Sequence, residues 1–232
     1  MIQIRKAAER GVTKIDWLDS KHSFSFGDYR DPAHVNWGPL RVINEDVVAP
    51  GAGFPTHPHR DMEIVTWVLS GELAHKDSTG TAETIRPGEL QRMTAGTGIR
   101  HSEYNASATT PVHLLQIWLH PAAANLRPGY EQKSFAGALD GTLRLVAAQD
   151  GRDNAITIHQ DADIYAARLQ PGQAASLPLR AGRVQWVQVA RGTATLNGVA
   201  LVQGDGAAVR GEASLEIAAN DAAEVLVFDM VA

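Results

Sequence analysis

Gly51-Ala-Gly-Phe-Pro-Thr-His57-Pro-His59 and Thr94-Ala-Gly96-Thr-Gly98-Ile-Arg100-His101-Ser-Glu103-Tyr-Asn105 are the two ends of the stretch on which the reading of this chain turns. Each end carries ligand-type side chains two residues apart: His57 and His59, then His101 and Glu103. Successive side chains of an extended strand alternate between its faces, so residues i and i+2 point the same way. Each pair therefore aims at one point from a single strand. Two such strands meeting across a barrel would offer three imidazoles and one carboxylate to one divalent ion.

The text between and around these ends is strand-like. Ile64-Val-Thr-Trp-Val-Leu69 is rich in β-branched and aromatic residues and stops at Ser70-Gly71. Leu40-Arg-Val-Ile-Asn and Val112-His-Leu-Leu-Gln-Ile-Trp-Leu119 read the same way, and Pro50-Gly51, Thr79-Gly80 and Pro87-Gly88 mark turns. In Ser23-Phe24-Ser-Phe26, the two phenylalanines share one face of a short strand. Many short strands at close spacing predict an all-β sandwich or barrel. Short helices are expected only near Ala122 to Leu126 and Phe135 to Leu139.

The second half repeats the first. Gly51 to Gly71 spans 20 positions, and Gly172 to Gly192 spans 20 as well. Pro50-Gly51 is matched by Pro171-Gly172, and Pro87-Gly88-Glu89 by Gly204-Asp205-Gly206. A repeated β unit implies duplicated barrels. The expected division is a first barrel in residues 1–120, a connecting segment of loop chemistry in 121–155, and a second barrel in 156–232. The repeat is also a control. Six and eight residues past Gly51 stand His57 and His59; six and eight past Gly172 stand Pro178 and Arg180. Histidines that only packed this fold should occur in both copies. They occur in one, so they read as functional.

Composition limits the chemistry. The chain has 232 residues, a formal net charge of -5 and no cysteine. No disulfide or thiolate metal site is possible, so any metal sits in nitrogen and oxygen ligands. The acidic balance argues against direct nucleic-acid binding or an anionic membrane surface as main partner. No apolar run approaches the roughly 20 residues needed to cross a bilayer. Met1-Ile-Gln-Ile-Arg-Lys has no signal-peptide pattern. A cytoplasmic location and a monomer with its two barrels packed together are the expectations.

Gly51-x5-His57-x-His59-x3-Glu63 resembles the first cupin motif, and Gly98-x2-His101-x3-Asn105 resembles the end of the second. Thr56-His-Pro-His-Arg-Asp-Met-Glu-Ile, Ala95-Gly-Thr-Gly-Ile-Arg-His-Ser-Glu-Tyr-Asn and Asp19-Ser-Lys-His-Ser-Phe-Ser-Phe resemble the pirin family. The resemblance is marked from about Trp17 to Trp118 and fades beyond about residue 150. It implies a bicupin of two tandem jelly-roll-like barrels with a metal only in the N-terminal one. Its ligands would be His57, His59, His101 and Glu103, with Glu103 also a possible catalytic base. The standard cupin layout would take Glu63 instead. Glu63 lies about 13 Å along an extended strand from His59, whereas Glu103 is two residues from His101 and shares its face.

The resemblance further implies one divalent cation, Fe(II) by family, and the donor set suits Zn, Co, Ni, Cu and Mn too. Bacterial pirins are described as flavonol 2,3-dioxygenases of the quercetinase type, so a flavonol-like aromatic substrate and O2 are the expected partners. The animal relative is described as an iron-dependent nuclear co-regulator. That suggests the alternative of a metal- or redox-responsive regulatory protein with a protein partner and no turnover. A cupin isomerase, favouring Zn and a polar pocket, ranks last because Lys and Arg are sparse around the motif. Phe54, Val65, Trp67, Met93 and Ile99 are candidates for lining a flat pocket. His22, His34, His75, His113, His120 and His159 read as packed or hydrogen-bonded side chains, with His113 open to a pocket role. Arg60-Asp61 reads as a solvated pair, and Gly96 and Gly98 as turn residues with positive φ.

Overall fold

Alternation of inward and outward side chains builds this molecule. The computed structural model describes residues 1–232. The chain forms four antiparallel-dominated sheets, two per barrel, and its only helices are the single 3-10 turns Ala7–Glu9, Ala136–Ala138 and Arg152–Asn154. None is long and apolar enough to cross a membrane. Of the two short helices expected, Phe135 to Leu139 contains one such turn, and Ala122 to Leu126 has none. Asn125, at φ 59°, lies outside right-handed helical space.

In the first barrel a seven-stranded sheet runs in the order Gly129–Ser134, Glu89–Thr94, Glu63–Ser70, Val112–Leu119, Leu40–Val48, Leu18–His22, Gly11–Ile15. It faces a four-stranded sheet ordered Gly53–His59, Ile99–Asn105, Leu73–Asp77, Ala82–Ile85. The second barrel repeats this plan. Its four-stranded sheet is Ala174–Pro178, Ser214–Ala219, Thr193–Leu196, Val199–Val202, the same order of equivalent strands. The glycines that revealed the repeat do the same work in both copies. Gly71 and Gly192 have φ of 76° and 69°. A Cβ would meet the Pro111 carbonyl oxygen at 2.7 Å in the first case and that of Ala222 at 2.1 Å in the second.

The division at residues 120 and 156 does not follow the strand pairing. Gly129–Ser134, inside the expected connector, pairs along Glu89–Thr94 of the first barrel. Arg144–Ala148 pairs with Ala162–Leu169 of the second. At the other end of the chain, Ile2–Arg5 joins Gly206–Arg210 of the second barrel. These segments cover sheet edges that would otherwise present unpaired N–H and C=O groups. Gly129–Ser134 was concealed by its loop-like composition, because an edge strand needs no apolar run.

The largest core lies between the barrels. Residues 65, 67 and 69 of Glu63–Ser70 point outward, and so do Leu115, Ile117 and Leu119. They pack on Ile164, Trp186, Leu226 and Phe228 of the second seven-stranded sheet in a cluster of 26 buried residues. Burial on both faces explains the near-continuous apolar strands. The intervening positions face the barrel interior. In the second barrel they build a cluster of 15 buried residues. In the first, Leu18, Val48, Val68 and Leu114 fill one end with Leu73 and Ile85, a cluster of only 7. The remainder of that interior is the site.

Candidate metal centre

Gly53–His59 and Ile99–Asn105 are hydrogen-bonded neighbours in the four-stranded sheet, not strands opposed across the barrel as the spacing suggested. His101 pairs with His57, and Ile99 with His59. Side chains on one face of adjacent strands lie side by side, so three imidazoles converge. The ligand nitrogens of His57, His59 and His101 lie within 4.8 Å of one another. Their ring centroids are 4.4 to 4.9 Å apart. A bulge between His101 and Glu103 shifts the register, so Glu103 lies opposite Phe54. Bulges re-aim side chains in this way. The tight turn that starts the His101 strand uses Gly96 and Gly98 at φ 46° and 137°, as expected.

The protein fixes which nitrogen is free in two of the rings, His57 and His101. His57 Nδ1–H donates to the Pro55 carbonyl at 2.8 Å, leaving Nε2 as the lone pair. His101 is set by a relay behind it. Asp77 Oδ2 accepts from His75 Nε2–H at 3.0 Å, so His75 Nδ1 is an acceptor. It faces His101 Nδ1 at 3.5 Å, so the hydrogen there belongs to His101. His101 Nε2 is then a lone pair, and it is buried without a hydrogen-bond partner. An orphaned buried polar atom costs roughly 1–3 kcal/mol unless something binds it. Burial, then the neighbouring His101 and His57, push His59 down to about 4. Burial, then His57 and His75, push His101 down to about 3. Both rings are neutral at pH 7 and able to ligate.

Glu103 is buried and faces no cation. Gln116 Nε2 donates to both its oxygens at 3.0 and 2.9 Å. Thr66 Oγ1 donates to Gln116 Oε1 at 3.1 Å, which fixes the orientation of the amide. Three imidazoles, the Nε2 of His101 orphaned, and a carboxylate without a countercharge fit a divalent cation. His75, His101 and Glu103 form a second group within 4.8 Å that shares two of these residues.

Glu63 is elsewhere. The turn at Asp61, φ 47°, carries the chain into the other sheet. Glu63 Oε2 there accepts the His159 backbone N–H at 3.0 Å and contacts His159 Nδ1 at 3.2 Å. It ties the first barrel to the second. Arg60 and Asp61 form no ion pair; Asp61 Oδ1 instead accepts the Asn125 N–H at 2.6 Å.

The four residues line a cavity of about 240 Å³. Of the expected apolar lining only Phe54 is present, joined by Ile64, Trp118 and Phe26. Val65 and Trp67 belong to the core between the barrels, and Met93 and Ile99 pack on Ile64. Trp118 stands edge-on to His59, centroids 5.0 Å apart. Two histidines read as packed or hydrogen-bonded side chains also belong to the site: His75 supports His101, and His22 lines the cavity. The signal for His75 was available, since His75-Lys-Asp77 has the same two-residue spacing as the other pairs. His34 and His113 are structural, bonded to Asp31 and Glu45 at 2.8 and 2.9 Å.

The family model for pirin matches residues 3–119. The chain belongs to the pirin family. A model described as the quercetinase C-terminal cupin domain matches residues 145–230, which makes this pirin a bicupin. It is 46% identical to quercetin 2,3-dioxygenase of Escherichia coli K12 over 99% of both chains. It is 40% identical to a pirin-like protein of Caulobacter vibrioides, again over 99% of both. The crystal structure of the E. coli pirin YhhW in complex with nickel(II) superposes with a TM-score of 0.95 at 46% identity, covering 100% of this chain and 99% of that one.

Proposed function

We propose that this pirin is a metal-dependent flavonol 2,3-dioxygenase of the quercetinase type. It opens the heterocycle of quercetin or a similar flavonol with O2 and releases carbon monoxide and a depside. His57, His59, His101 and Glu103 would hold one divalent cation, Fe(II) by family, with Ni(II) supported by the complex of YhhW. The observation that carries this reading is the orphaned Nε2 of His101, set among two further imidazoles and a carboxylate on the wall of a cavity. The placement of Glu63 against His159 supports Glu103 as the carboxylate.

When bound, the cation supplies a Lewis acid and a template for substrate oxygen and O2. The protein supplies the rest. Glu103, held at both oxygens by Gln116, is placed to take the proton of the flavonol 3-hydroxyl. Phe54, Ile64 and Trp118 offer apolar surface to flat rings and exclude water from them.

The test is reconstitution of anaerobically purified protein with Fe(II), Co(II), Ni(II), Cu(II), Mn(II) or Zn(II) in turn. Oxygen uptake with quercetin and carbon monoxide release are followed in one vessel. One metal per chain and uptake with carbon monoxide are expected. His57→Ala combined with His101→Ala should lose both the metal and the uptake while keeping the fold. No uptake with any metal would turn the reading to a non-enzymatic metal-responsive protein.

A further inference from the structure

The wall opposite the imidazoles is polar where a barrel interior is ordinarily apolar. Ser20 and His22 come from Leu18–His22, Asn44 and Asp46 from Leu40–Val48, and Gln116 from Val112–Leu119. All five line the cavity and all are at least nine-tenths buried. They sit side by side: Ser20 pairs with Asp46, His22 with Asn44, and Asn44 with Gln116. Buried polar groups persist when they are hydrogen-bonded or have a task.

Part of this wall is satisfied internally. Thr13 Oγ1 lies 2.9 Å from His22 Nε2, and His22 Nδ1 lies 2.8 Å from Asn44 Oδ1. With the threonine hydroxyl donating, Nδ1–H donates to the amide oxygen. Ser20 Oγ donates to Asp46 Oδ1. Two groups keep open valences toward the cavity. Asp46 is 4% exposed, its only hydrogen bond is to Ser20, and it pairs with no cation. Asn44 is 3% exposed, and its Nδ2 is not used by the His22 contact. They are two residues apart on one strand face, so an acceptor and a donor stand next to each other. Burial, with Glu103 and Glu45 adding to it against the Ser20 hydrogen bond, pushes Asp46 up to about 7.

We infer that Asp46 and Asn44 form a hydroxyl-reading subsite that binds a phenolic hydroxyl of the substrate on the sheet facing the imidazoles. The inference rests on the flavonol reading and makes it specific: the substrate is a polyhydroxylated aromatic, held through a second hydroxyl as well, not any molecule with a hydroxy-keto edge. Phe26, Phe54, Leu18 and Ile64 supply the apolar walls between.

Anaerobic calorimetric titration of the nickel(II)-loaded, full-length protein tests this. The two probes are quercetin and 3-hydroxyflavone, which share the hydroxy-keto edge but differ in the distal hydroxyls. Wild type should bind quercetin at least about tenfold more tightly, the discrimination of one hydrogen bond to a buried polar group. Asp46→Leu should abolish that preference by weakening quercetin alone, with one nickel per chain retained. Asp46→Asn, which keeps a hydrogen-bonding tip of the same shape, should restore most of it. Asn44→Leu should halve the preference or more, which keeps the test available if Asp46→Leu does not fold. Undiminished preference for quercetin in Asp46→Leu or, failing its folding, in Asn44→Leu overturns the subsite. So does equal binding of the two flavonols by wild type. Binding of neither flavonol overturns the flavonol reading itself, and the subsite with it.

Discussion

Neutral imidazoles are useful ligands only if the correct nitrogen is free, and here the choice is made by groups that would not touch a metal. Pro55 sets His57 through its carbonyl oxygen. Asp77 sets His75, and His75 sets His101. Outer partners of this kind typically govern metal affinity by about 10–100-fold. His75→Ala is therefore expected to weaken nickel(II) binding by about 10-fold or more, with secondary structure unchanged by circular dichroism. Competition against a chelator of known affinity measures it. His113→Ala serves as the control, because His113 is bonded to Glu45 and lines no part of the cavity. Equal losses in the two variants would show that His75 acts through general stability and not through His101.

At the scale of the strand, the two barrels solve the same problem with different cations. The position that holds His59 in the first copy holds Arg180 in the second. Arg180 Nη2 contacts Asp163 and Asp229 at 2.6 and 2.7 Å, and Arg183 Nε contacts Asp229 at 2.8 Å. Gln185 donates to the other oxygen of Asp229 at 2.8 Å. Guanidinium groups of the chain neutralise buried carboxylates, so this barrel offers no imidazole cluster. Removing one partner of a buried pair costs about 3–5 kcal/mol because the other is left unpaired. Arg183 and Asp229 are 9% and 6% exposed, so Arg183→Met is expected to lose about 3 kcal/mol, the low end because Arg180 remains. The exposed Arg86–Glu72 pair is the comparison, and Arg86→Met should change stability by less than about 1 kcal/mol. Urea denaturation of the two variants compares them. Similar midpoints would refute the ranking.

Over the whole molecule, the two seven-stranded sheets pack on each other through the largest core in the protein. Trp67 is fully buried at its centre, and its Nε1–H donates to Glu224 Oε1 across the interface at 2.6 Å. Neither barrel can expose that face to water alone, so one cooperative unfolding transition is expected by calorimetry. Trp67→Ala should cost about 3–5 kcal/mol from the lost burial and the cavity left behind. It should lower the single transition without splitting it. Two resolved transitions in the wild type would show that the barrels are stable independently. The crossing of Ile2–Arg5 into the second barrel adds to this coupling.

The fold class, the duplication and the four candidate ligands were legible in the sequence, because each depends on local rules. Alternation and turn glycines act within one strand and the repeat exposes them twice, whereas the two-residue ligand spacing stands in the first copy alone. Glu103 was preferred over Glu63 on spacing together with the pirin resemblance, and the fold is consistent with it: a turn after His59 sends Glu63 into another sheet. What required the tertiary structure was everything that depends on strand order. His57 and His101 are neighbours because the sheet places their strands side by side. His75 is part of the site because its strand flanks that of His101 on the other side. Val65 and Trp67 alternate as pocket residues would, but their face belongs to the second barrel. The polar wall of Ser20, Asn44 and Asp46 is scattered over two strands whose text reads as ordinary β structure. Strand alternation tells which residues share a face; only the packing of sheets decides what that face meets.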